Sequence, residues 1–169
     1  MKRSLLLLLI PVLVFLSCKQ QAHTPAGKLH RAQEEAENAE KIKLPDFTFY
    51  PDFVEPQFGK EYIISPMVTA YIKIEKNRIG ARLPYLGHFY IRPLSRMDVP
   101  VTFVSDKFIY LVSYDKEADK FDITISPQDV YNVIDQNMVV RMEMDKDGNG
   151  TVSIKTDGRD EIRYRGHYR

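Results

Sequence analysis

Alternation of apolar and polar residues with a period of two is the strongest constraint in this sequence. Val68, Ala70, Ile72 and Ile74 alternate with Thr69, Tyr71, Lys73 and Glu75. Phe121, Ile123 and Ile125 alternate with Asp122, Thr124 and Ser126, and Met138, Val140, Met142 and Met144 with Val139, Arg141 and Glu143. Val152 and Ile154, then Ile162 and Tyr164, continue the pattern. Successive side chains of a strand point to opposite faces, so each run has one dry and one wet face, the signature of antiparallel sheet. Turn-forming residues at Lys76-Asn77, Ser105-Asp106, Lys116 to Lys120, Asp147 to Gly150 and Asp157-Gly158 separate the runs. Seven to nine short strands at this spacing predict an all-β domain, a single antiparallel β-sandwich or small β-barrel, over residues 46–169. The stretch from Gln128 to Asp135 alternates poorly and reads as a helical turn between strands.

The first residues follow a different logic. Lys2 and Arg3 precede an apolar run from Leu5 to Leu16 that is interrupted only by Pro11. A bilayer span needs ~20 apolar residues, so this segment reads as a secretory signal peptide over residues 1–17. It ends in Phe15-Leu16-Ser17-Cys18, which resembles the lipobox of bacterial lipoproteins, although Phe15 stands where Leu is usual. That resemblance implies acylation of Cys18 as the mature N-terminus and attachment to a lipid bilayer. Two or three acyl chains hold a protein on a membrane where one would not. Cys18 is the sole cysteine, so the domain itself contains no thiol chemistry and no disulfide. Loss of residues 1–17 leaves 22 basic and 23 acidic residues, a charge of −1 against +1 for the whole chain. Such a balance gives no pull towards nucleic acid. The residues after Cys18, Lys-Gln-Gln-Ala-His, contain no acid. Surface-exported lipoproteins of the Bacteroidetes tend to carry acids there. The expected location is therefore the outer membrane, lipid-anchored and facing the periplasm.

Residues 18–45 read as the lipidated N-terminus, a tether and a short helix. Helix-forming residues fill Gly27 to Lys43, but the apolar positions at helical spacing are mostly alanines, which predicts a solvated spacer.

Three segments together resemble a known family. They are Tyr71-Ile72-Lys73-Ile74 with Arg82-Leu83-Pro84-Tyr85-Leu86-Gly87, the strand Phe121 to Ser126, and the closing stretch Gly150 to Ile154 with Arg159 to Gly166. Their order and spacing are similar to the Bacteroidetes lipoprotein family known as domain of unknown function 4251. The resemblance implies a lipidated envelope protein with a β-rich domain over about residues 46–168, and it supplies no catalytic residue. Within it, Pro84 cannot donate to a ladder and holds Leu83 extended, so Leu-Pro-Tyr reads as a strand corner. Tyr85 is the candidate ligand contact there.

Two further features carry possible chemistry. Asp145, Asp147, Asn149 and Thr151 match the first positions of an EF-hand calcium loop, but Thr156 stands where the bidentate Glu belongs. Asp-Gly-Asn-Gly between alternating runs is itself a hairpin signal, and the turn is the reading adopted. Arg159, Arg163, Arg165, His167 and Arg169 share one parity, so an unbroken strand would show them on one face. Arg163 and Arg165 are the candidate contacts for an anionic lipid or glycan. No histidine pair has metal-ligand spacing, and no nucleophile, metalloprotease or phosphate-loop motif is present. The expected protein has no catalytic residues, no metal and no cofactor. It is a monomeric, non-catalytic binding or interaction module whose partner is an envelope protein, a glycan or a small ligand. The alternative is a small-ligand-binding barrel, followed by a hydrolase of envelope glycans.

Overall fold

A computed structural model describes residues 25–95 and 99–169; the segment read from sequence as a signal peptide, Cys18 and the expected tether up to Thr24 lie outside the described residues. In chain order the elements are helix α1 (Pro25–Lys43) and strands β1 (Phe47–Pro56), β2 (Tyr62–Ile63), β3 (Tyr71–Glu75), β4 (Arg78–Leu83) and β5 (Val101–Ser105). There follow β6 (Phe108–Asp115), β7 (Lys120–Pro127), a 3-10 turn (Val133–Asp135), β8 (Val139–Asp145), β9 (Asn149–Lys155) and β10 (Ile162–Tyr168). The helix begins in one compact unit, which ends at Gln33, and finishes in the other, Glu34–Arg169. Among the described residues no helix is long and apolar enough to cross a membrane.

All strands join one sheet in the order β5-β4-β3-β1-β10-β9-β8-β7-β6, with β2 added to β1, and every pair is antiparallel. An even number of antiparallel steps separates the two ends of that order, so β5 and β6 run in the same direction. Only Asp106 and Lys107 lie between them. They are two halves of one bent strand, the first paired with β4 and the second with β7, and this bend brings the sheet round into a nearly closed barrel. Parity slips at the bend: Val101, Phe103 and Ser105 are buried on β5, and Phe108 and Tyr110 face inward on β6.

The interior is filled by the apolar parity of the sequence. Phe49, Ile72, Ile74, Ile79, Leu83, Val101, Ile125, Val140, Met144, Val152 and Tyr164 are fully buried. Ile42, from the last turn of α1, is fully buried as well, and Tyr110 Oη donates to its carbonyl at 2.5 Å. The sequence places the start of the domain at Asp46; the core starts one helical turn earlier. The spacer pattern missed this because one isoleucine among alanines makes no stripe. The segment Val68 to Ala70, which alternates like a strand, leads into β3 as loop, with Val68 exposed.

Strand β1 bulges between Pro51 and Phe53, opposite Gly166 on β10. A Cβ on Gly166 would overlap the Tyr50 carbonyl oxygen and the Pro51 Cα. Glycine therefore lets the bulged strand lie close, and β10 continues through it to Tyr168.

Candidate interaction rim

The pairing register places the long connections at one end of the barrel. These are 57–70 between β1 and β3, 84–100 between β4 and β5, 128–138 between β7 and β8, and 156–161 between β9 and β10. The opposite end has tight hairpins at 76–77, 116–119 and 146–148. Function-bearing residues gather where a rigid scaffold carries long loops.

One arginine ties three of these loops together. Arg159, in the β9–β10 loop, has a side chain only 1% exposed, and its Nη2 lies 2.7 and 2.8 Å from the two carboxylate oxygens of Asp135 in the β7–β8 loop. Its Nη1 donates to the Val99 carbonyl at 2.9 Å, and its guanidinium lies 4.9 Å from the Tyr85 ring and 5.3 Å from the Phe89 ring, all in the β4–β5 loop. A planar guanidinium serves this role well because it donates in several directions while its faces rest on aromatic rings. Gly158, just before it, donates to the Ile134 carbonyl and accepts from the amides of Tyr90 and Ile91. A Cβ at Gly158 would sit 2.5 Å from the Ile134 oxygen, so the approach of these loops requires glycine.

Asp160 holds the β4–β5 loop from the next position. Its buried carboxylate accepts from the His88 amide at 3.0 Å, lies 2.9 Å from His88 Nδ1, and accepts from the Tyr90 hydroxyl. The Tyr90 hydroxyl, followed by the His88 amide and ring, holds the Asp160 carboxyl below the usual carboxylate range against the opposing effect of burial. The same bond pushes the Tyr90 phenol up. This network is an anchor for the loop. Outward from it the rim presents apolar side chains to solvent: Met67 is 94% exposed, Leu94 98%, Ile63 78%, Phe58 67% and Tyr90 64%.

The residues singled out from sequence fall in several places. Tyr85 is 6% exposed, and its hydroxyl donates to the His88 carbonyl at 2.7 Å; burial, then the Asp160 charge, pushes its phenol up to about 12. It packs the corner beneath the β4–β5 loop. Arg163 and Arg165 share the outer face of β10 as expected, but acids meet them there: Glu55 lies 3.7 Å from Arg163 and Glu61 2.8 Å from Arg165, which also covers the Phe53 ring. Asp52 lies 3.1 Å from His167 in the same way. The stripe is therefore a mixed-charge ladder. Arg159, expected on that face, is instead buried, because β10 starts only at Ile162 and strand parity does not extend into the loop. Asp145, Asp147, Asn149 and Thr151 lie on the β8–β9 hairpin. Asp145 accepts from the Asn149 amide at 2.8 Å and closes that turn. The sequence reading missed Asp135, His88, Tyr90 and Asp160; the one local signal was the pair Arg159-Asp160 directly after a turn glycine.

These features define a class: a small antiparallel barrel with a side-chain-filled interior and a braced rim of loops bearing exposed apolar residues. The chain belongs to the family described as domain of unknown function (DUF4251), which matches residues 30–168. A crystal structure of a DUF4251 family protein from Bacteroides eggerthii shares the fold with a TM-score of 0.54. The two are 15% identical, over 88% of this chain and 91% of that one. No curated protein matches the sequence.

Proposed function

We propose that this protein is a lipid-anchored component of a bacterial envelope whose barrel acts without catalysis, binding a partner protein through its loop rim. The observation that carries this reading is the contrast between the filled interior and the exposed side chains of Phe58, Ile63, Met67, Tyr90 and Leu94 at one end. Exposed apolar residues grouped into a patch mark interaction sites on folded proteins, and a braced backbone lowers the ordering cost of using them. A small ligand inside the barrel would have to displace core side chains such as Ile74, Met144 and Tyr164, which favours the rim. The lipobox-like segment ending at Cys18 supports acylation, and the acid-free start after it supports a periplasm-facing position on the outer membrane. Confinement to the same membrane as the partner raises its effective concentration, so a modest interface suffices.

The test introduces a photoreactive residue at Leu94 or, as control, at Asn77 in the hairpin at the far end. The full chain is expressed in its own envelope. A discrete adduct from position 94, absent from position 77 and lost with Met67→Asp, is the expected result. Equal adducts from both ends would contradict the rim. Cys18→Ala moves the protein from the membrane fraction to the soluble one if the anchor is as proposed.

A further inference from the structure

We propose that the free edge of β6 pairs with the same edge of a second copy of this chain, antiparallel about a two-fold axis through Leu111. Strand β6 ends the sheet order and is paired, among the described residues, with β7 alone. The outer side of β5, at the other end of the order, is approached by Asp129, which accepts from the Ser105 hydroxyl and from the Asp106 amide at 3.1 Å. Among the described residues no carboxylate caps the outer side of β6 in this way. Its eight residues include no proline, glycine or lysine, and its only charge is Asp115 at the very end. Proteins usually blunt a long edge with such residues, and here Leu111 is 61% and Ile109 51% exposed.

Charge complementarity selects the occupant and the register. Directly opposite residues of an antiparallel pair share a face, so a two-fold self-pairing must place some residue opposite itself. With Leu111 at the axis, Lys107 faces Asp115 on both flanks, and Phe108 faces Tyr114. The Lys107 carbonyl accepts from the Gln128 amide at 2.7 Å and so continues the ladder, whereas Asp106, at the bend, is held by Arg78 at 2.8 Å. Lys107 and Asp115 are both exposed. An axis at Tyr110 forms no charge pair, and one at Val112 sets Lys107 against Glu117, which lies in the hairpin beyond the strand. Leu111 is the register in which the two ends of the strand answer each other. The proposal replaces the monomer expected from the sequence and is independent of the rim.

Sedimentation of the full chain in detergent tests it at protein concentrations up to about 0.1 mM, since one strand edge is small beside a standard interface. The expected result is a monomer–dimer equilibrium that Leu111→Lys weakens about tenfold or more, by setting two lysines side by side. Val104→Lys, at an equally exposed position on β5, leaves it unchanged. A Lys107→Glu variant, which sets Glu against Asp115, weakens it as well. A monomer throughout, a dimer indifferent to Leu111→Lys, or equal loss with Val104→Lys would each overturn the proposal.

Discussion

Arg159 and Asp135 are a buried ion pair, and such pairs are costly to break on one side. Removing one partner leaves the other charge without its counterion in a dry site, a loss of about 3–5 kcal/mol. Arg159→Met is therefore expected to lower the urea midpoint steeply, and Arg159→Met with Asp135→Leu to recover much of the loss. Asp160 gives a pH dependence of known sign. Its carboxyl is held below its ordinary value in the folded protein, so its contribution is complete above about pH 4 and fades as pH falls through the folded value. Asp160→Asn is expected to cost about 1–3 kcal/mol at neutral pH. The difference from wild type, measured by urea unfolding, should shrink below pH 4; a constant difference would deny the carboxylate its role. This anchor was poorly legible in the sequence because its members, Asp135, His88, Tyr90, Arg159 and Asp160, come from three separated loops. Neither periodicity nor spacing relates residues that only tertiary folding brings together.

Elements were far more legible. Strands β7, β8, β9 and β10 lie where period-two alternation places them, because each has one face on the core and one in water. The bent strand was not legible, since Asp106 and Lys107 shift parity between Ser105 and Phe108 and the two halves pair at opposite ends of the sheet. The docked end of α1 was hidden for another reason: only Ile42 is fully buried, and the one residue that joins it against the core is an alanine, Ala39. Ile42→Ala should leave the helix propensity intact and cost about 2–5 kcal/mol through the cavity it opens, read as a lower unfolding midpoint. Gly166→Ala tests the β1 bulge. Its methyl would meet backbone rather than a movable side chain, so β1 must shift away from β10. Amide exchange across that pair is expected to accelerate, while exchange across β7 and β8 stays unchanged.

At the scale of the whole molecule, the barrel acts as a rigid holder. Its core residues fill the interior, the short hairpins close one end, and the other end holds the loops that Arg159 and Asp160 brace. Recognition on this account belongs to the rim and attachment to Cys18, leaving the interior with a structural role only. Native mass spectrometry of the full chain, extracted from its own membrane in mild detergent, tests that division most directly. The account predicts an acylated chain, alone or as a dimer, with no further small molecule at fixed stoichiometry. A stoichiometric non-covalent adduct released on denaturation would contradict it and make the barrel interior the binding site.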